Sequence, residues 1–181
     1  DNLFPNKIDL ILADTCQIDP SQLPVQCYSV PSRNFISRSA SILSGSLHRF
    51  RKYLIEFLSE RKDHYGLCIF NGSLIAGDMV DFVNSLGIQT ITIHHNYEKE
   101  YYTDNKSIES FWGIFPYYII KNERNAYFKS TMNLFLTNQD KMTLSTVYGP
   151  TNAINLYLGV FESESIYLKS ACQNHETEIN L

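Results

Sequence analysis

No stretch of the sequence approaches the ~18–20 consecutive apolar residues of a membrane-spanning helix, so none of these residues forms an apolar span. The four cysteines, Cys16, Cys27, Cys68 and Cys172, show no C-x-x-C spacing. That excludes a disulfide framework and fits a reducing compartment. Cys68 lies inside an apolar run and reads as a small core residue. There is no G-x-G-x-x-G run, which leaves a dinucleotide site unsupported. No internal repeat or low-complexity linker is present. The formal net charge is −4, so no general attraction to nucleic acid follows. With no signal sequence ahead of the first apolar run, the expected compartment is the cytoplasm.

What is present can build a core. Apolar residues make up 44% of the 181 residues and charged ones 19%, as in an ordinary single domain. Aromatic residues are abundant, with twelve Tyr and eleven Phe. They suit either an aromatic-filled core or a carbohydrate surface.

Strand-like and helix-like patterns alternate along the chain. Ile8 to Ala13 and Val25 to Val30 read as buried strands, the second ended by Pro31. Leu43, Leu47, Phe50, Leu54 and Phe57 step by four, three, four and three, one face of a helix closing at Lys62 and Asp63. Leu67 to Phe70 is a third strand. Ile75, Met79, Phe82 and Leu86 mark a second helix, with Gly87 at its C-terminal cap. Gln89 to His94 is β-branched and reads as a central strand. Asn96 to Lys106 is expected to be a loop. A helix then starts near Phe115 and Pro116 and runs to about Lys129. Leu134 to Leu136 is the core of a strand. Thr137 and Asn138 open a helix ending near Tyr148, Gly149 and Pro150, and Ile154 to Leu158 is the last strand. This order predicts an α/β fold: a Rossmann-like, doubly wound, mostly parallel sheet with helices on both faces. Residues 1–160 form the domain and residues 161–181 a tail or the start of a linker.

In such sheets ligands bind beyond the carboxyl ends of the strands. Three polar segments fall there. Asn71, Gly72 and Ser73 can hold hydroxyl or phosphate oxygens, or simply cap the following helix. His94 and His95, followed by Asn96, Glu98 and Tyr101, end the central strand. Adjacent strand residues point to opposite sides, so the two histidines are poor joint ligands for one metal. One is expected to act as a general base or hydroxyl donor, with Glu98 orienting a sugar or a basic partner. Thr137 and Asn138 form the third segment, and Asp140 makes a capping box with Thr137. Glu123 and Arg124 are expected to make an ion pair with a neighbouring element. Between Arg33 and Lys52 stand Arg33, Arg38, Arg49, Arg51 and Lys52 without a carboxylate. This segment is either a solvated face or a basic patch for an anionic acceptor or a membrane surface.

The run from Ile91 to Asn105, ITIHHNYEKEYYTDN, is similar to the strand-end His-Asn-x-Glu segment of family 4 glycosyltransferases with the GT-B fold. In that family it precedes a helix bearing a Glu, a strand, a polar strand-end residue and an Asp-Lys-like pair. Here these are Glu123, Leu134 to Leu136, Thr137, and Asp140 with Lys141. Tyr148-Gly149 and Gly159-Val160 look like the approach to the family's interdomain linker. The resemblance covers Leu67 to Val160. Many members have a His after the strand equivalent to Leu67–Phe70, where this chain has Asn71. The resemblance implies the N-terminal, acceptor-side domain of an enzyme that transfers a sugar with retention and without a metal or cofactor. The nucleotide-sugar donor would bind mainly to a further C-terminal domain, leaving this chain inactive alone. The acceptor would be a bacterial surface glycan or glycolipid, reached by peripheral contact with the inner membrane face. His94, His95 and Glu98 would serve catalysis. Asn71, Gly72, Ser73, Asn96, Tyr101, Thr137, Asn138, Arg49 and Arg51 would meet the acceptor. The two other readings are a non-catalytic α/β binding domain and half of a sugar-nucleotide epimerase.

Overall fold

A computed structural model describes residues 8–13, 25–30, 50–104 and 114–158. Along them run β1 (Asp9–Ala13), β2 (Gln26–Val30), α1 (Phe50–Arg61), β3 (Leu67–Asn71) and α2 (Ser73–Ser85). Then come β4 (Gln89–His94), α3 (Glu98–Asp104), α4 (Ile114–Lys129), β5 (Met132–Phe135), α5 (Asn138–Tyr148) and β6 (Ile154–Tyr157). A 3-10 turn over Lys62–His64 follows α1. β1 pairs with β2, and β3, β4, β5 and β6 form a second sheet in that order; every pairing is parallel. The chain therefore has the α/β, Rossmann-like architecture that its alternating pattern implies.

Strand register separates two faces. On one, Phe70, Thr92, Asn133 and Asn155 form a row, and His94, Phe135 and Tyr157 form the next. The four longer helices pack on this face. Leu54, Phe57 and Leu58 of α1 meet Phe70, Ala76, Met79 and Val83, with Ala126 of α4 in the same cluster. Tyr127 of α4, Phe135 and Leu144 of α5 form a second cluster. Each fully buried Leu or Phe contributes about 1.5–3 kcal/mol. Helices on the opposite face, expected from the sequence, are not among the described residues.

The covered face is polar at its centre, and most of its polar side chains there are hydrogen-bonded. The Thr92 and Ser130 hydroxyls lie 2.7 Å apart, and the Thr90 hydroxyl donates to Asn84 Oδ1 at 3.0 Å. Helices α2 and α4 approach closely because Gly77 has no side chain. A Cβ there would stand 1.9 Å from the Asn122 carbonyl oxygen. Asn125 Nδ2 donates to the Gly77 carbonyl at 2.7 Å across the same seam.

Where the described residues test them, the expected element boundaries hold to within about two residues, with one exception; Leu136, expected in a strand, lies just past the end of β5. Pro116 falls in the first turn of α4, Gly87 takes a positive φ of 77° after α2, and the Thr137 side chain accepts from Asp140 N–H at 3.0 Å to cap α5. The segment expected as a loop after Asn96 instead contains α3. Its sequence lacks apolar periodicity, but its first N–H group is satisfied from outside: Glu98 N–H donates to Glu123 Oε1 at 2.7 Å. The expected helical residues Leu43 and Leu47, and the tail from residue 159, lie outside the described residues.

Candidate functional site

The carboxyl ends of β3, β4 and β5 carry the three polar segments. At the end of β3 the chain turns through Gly72, whose φ of 129° disfavours any side chain. The capping alternative for Asn71 and Ser73 is not realised: the N-cap of α2 is Gly72, with no side-chain cap. Ser73 is buried and donates from Oγ to Glu98 Oε1 at 3.3 Å. Asn71 is exposed, and its Oδ1 lies 2.5 Å from His95 Nε2.

The two histidines part as strand alternation requires. His94 is fully buried and stacks on Phe135 at 5.0 Å between ring centroids. Its Nε2 is 3.0 Å from Asn133 Oδ1. Asn133 Nδ2 already donates to the Tyr127 carbonyl and to Asn155 Oδ1, each at 2.9 Å. The amide orientation is thereby fixed, so Oδ1 accepts and His94 Nε2 carries the proton. Burial pushes the His94 pKa down to about 4, against the opposing pull of the Asn133 bond. His94 is therefore neutral near pH 7 and out of reach of an exposed hydroxyl. Its Nδ1 is buried without a hydrogen-bond partner, as is Asn96 Oδ1.

His95 is exposed. With the Asn71 oxygen accepting, the His95 proton sits on Nε2 and Nδ1 is left as an acceptor. This is the tautomer that a general base needs when Nδ1 faces the substrate.

Beneath this pair lies a buried carboxyl cluster. Glu98 is 9% exposed and Glu123 fully buried. The Glu123 carboxyl receives the Glu98 N–H on Oε1 and the Tyr148 hydroxyl on Oε2, at 2.7 and 2.8 Å. Burial drives its pKa up to about 7, with the two hydrogen bonds opposing. Burial also raises Glu98, partly offset by the Ser73 bond. Tyr148 is raised first by burial and then by the Glu123 charge. The cluster ties the starts of α2 and α3 and the end of α5 to α4. Glu123 does this in place of the ion pair expected for it, and Arg124 instead lies over the Phe128 ring at 5.7 Å. Glu98, expected to orient a sugar, is turned inward onto Ser73.

The remaining candidates are spread out. Tyr101 is 52% exposed on α3. Thr137 caps α5, and Asn138 is exposed on its first turn with Nδ2 3.8 Å from Met142 Sδ. Arg51, expected at an acceptor or lipid surface, is paired with Asp78: its Nη1 lies 3.0 Å from Oδ1 and 2.5 Å from the Asp78 carbonyl. Lys52 lies 3.7 Å from Glu56. These two members of the basic segment serve intramolecular pairs. Arg33, Arg38 and Arg49 lie outside the described residues. Among the described residues no helix is long and apolar enough to cross a membrane.

Asn133, which fixes the His94 tautomer, had a sequence signal that sequence reasoning passed over: a lone amide inside a four-residue strand, MNLF. The Tyr148 hydroxyl had none, since its partner is 25 positions away. No known protein family, curated protein or solved structure matches the chain.

Proposed function

We propose that the chain is the acceptor-binding, N-terminal half of a GT-B glycosyltransferase that moves a sugar from a nucleotide-sugar to a glycan or glycolipid. The observation that carries this reading is the Asn71–His95 contact at 2.5 Å, at the ends of adjacent parallel strands. It provides an exposed imidazole held by a side-chain amide where open α/β sheets receive ligands. The order of motifs from Leu67 to Val160 supports the same assignment.

In this reading His95 Nδ1 accepts a hydrogen bond from the acceptor hydroxyl and takes its proton as the hydroxyl oxygen bonds to the anomeric carbon of the donor sugar, while the bond from that carbon to the nucleoside diphosphate breaks and the diphosphate leaves with the electron pair. Asn71 holds the ring. The tight turn at Gly72, without a Cβ, lets the acceptor approach the backbone. Glu98 and Glu123 are positioning residues that fix the turn between β4 and α3. The donor sugar and its nucleotide bind to a further domain, and the transfer uses no metal.

The test is a transfer assay on the complete natural protein with a panel of nucleotide-sugars, read as nucleoside diphosphate released. The expected result is acceptor-dependent release with at least one donor. Release with none of them, from a protein that is folded by circular dichroism, contradicts the proposal.

A further inference from the structure

The helical layer carries a groove that the strand-end site does not use. It has a volume of about 450 Å³ and runs along α4 beside α2. Tyr117, Lys121, Arg124 and Phe128 stand at i, i+4, i+7 and i+11 and so share one face of α4. The buried Ile119 and Ala126 lie on the opposite face.

The charges of the groove do not balance. Among the described residues Asp81, from α2, is the only carboxylate of its lining, and Lys129 holds it at 2.6 Å. Lys121 and Arg124 are exposed, and neither meets a carboxylate among the described residues. A local surplus of two cations therefore stands in a chain whose formal net charge is −4. The Arg124 guanidinium lies over the Phe128 ring at 5.7 Å, a contact that limits its freedom. Tyr117 is 63% exposed, and Tyr118 braces its ring at 5.7 Å between centroids. A large exposed ring fixed by its neighbour is a stacking platform.

The walls narrow the choice of occupant. Both are helices, whose main-chain groups are already bonded, so a peptide cannot add as a strand. The apolar face of an amphipathic helix needs a continuous apolar floor. Here the floor is polar: Asn125 Nδ2 donates to the Gly77 carbonyl at 2.7 Å and lies 3.4 Å from Asp81 Oδ2, beside the Lys129 pair. Such a groove suits a chain with hydroxyls for the polar floor, anions for the two cations, and an apolar C–H face for the Tyr117 ring.

We propose that this groove binds an acidic oligosaccharide, one whose sugars carry carboxylate, phosphate or sulfate groups. Tyr117 stacks on one sugar ring, and Lys121 and Arg124 hold the acidic groups of its neighbours. Tyr117 and Arg124 are seven residues apart, about 10 Å along the helix, a reach of more than one sugar ring. Helices α2 and α4 run in the same direction, with Gly77 against Asn122 and Asp81 beside Lys129. One turn before Gly77 and Asn122 lie Ser73 and Tyr118, so the Tyr117 end of the groove is level with the carboxyl ends of the strands. In the glycosyltransferase reading, on which this clause alone rests, the groove holds the distal units of an acidic acceptor.

Fluorescence anisotropy tests the proposal, with labelled saccharides titrated into the complete natural protein. The probes are oligogalacturonate, a phosphorylated dextran and a sulfated dextran, with neutral dextran and polyglutamate of similar length as controls. No nucleotide-sugar is present, so the result is independent of transfer. At least one acidic saccharide is expected to bind tenfold or more tightly than both controls, a difference of about 1.4 kcal/mol. Lys121→Gln with Arg124→Gln should weaken that binding roughly tenfold or more, and Tyr117→Ala roughly threefold or more. All three side chains are exposed, so the melting temperature should hold. Binding of none of the three acidic probes overturns the proposal. So does neutral dextran bound equally well, or polyglutamate bound equally well, which would identify an acidic polypeptide as the occupant. Binding that survives either set of substitutions unchanged also overturns it.

Discussion

Replacing Glu123 by Gln isolates the energetic consequence of the buried carboxyl cluster. The wild-type carboxyl has its pKa raised from 4.5 to about 7, chiefly by burial. A raised acid pKa means that the folded protein binds the proton more tightly than the unfolded chain. The stability contributed by that proton is complete below 4.5 and is lost as pH rises through about 7. At about 1.4 kcal/mol per pH step, ionisation of Glu123 removes on the order of 3 kcal/mol across that window. Glu98 shifts in the same direction and adds to the same trend. Gln keeps an oxygen to accept the Glu98 N–H, and its amide can donate to the Tyr148 oxygen, but it cannot ionise. Urea denaturation of both proteins from about pH 5 to about pH 8 gives the difference directly, and other titrating groups largely cancel in it. The stability of the variant relative to wild type should rise by roughly 2.5 kcal/mol between pH 5 and pH 8. A difference that stays flat across the range would refute the argument, and with it the claim that Glu123 is held mostly protonated below neutrality.

Two further outcomes follow from the packing. Gly77→Ala drives a methyl group into the Asn122 carbonyl and should destabilise the domain by about 3 kcal/mol in the same denaturation assay; a loss below about 0.5 kcal/mol would mean that α2 and α4 do not pack this tightly. The His94 ring proton resonances should titrate near pH 4. A His pKa depressed in the folded state gives stability that is present above its unfolded value of 6.5 and lost as pH falls through about 4. A midpoint near 6.5 in the folded protein would show that His94 reaches solvent.

The alternation of strands and helices was legible because each strand carries its own apolar run and each long helix its own period. Gly87 and Thr137 marked their helix ends for local reasons, a positive φ and a side-chain cap. Helix α3 was not legible. Its residues, EKEYYTD, carry no apolar stripe, and its start is fixed by a carboxyl 25 positions away. The strands also misled about sidedness. Helices were expected on both faces, yet among the described residues Ile69, Ile154 and Leu156 are exposed, and Thr92 and Asn133 are the buried ones. A run of apolar residues shows that a strand is buried somewhere, but not which face is covered by which element. At the candidate site the sequence showed that two adjacent histidines must diverge. Which of them turns inward depends on the register that puts His94 beside Phe135.

That divergence is where the functional account is most exposed to measurement. His95→Ala in the complete natural protein, compared with wild type by kcat/KM for the proposed transfer and by melting temperature, tests it. His95 is an exposed side chain whose hydrogen-bond partner, Asn71, is also exposed, so the melting temperature should stay within about 1 °C of wild type. The loss of a general base should lower kcat/KM by roughly 100-fold or more. Activity within about twofold of wild type, with the fold intact, would contradict the assignment of His95 as the group that takes the acceptor proton.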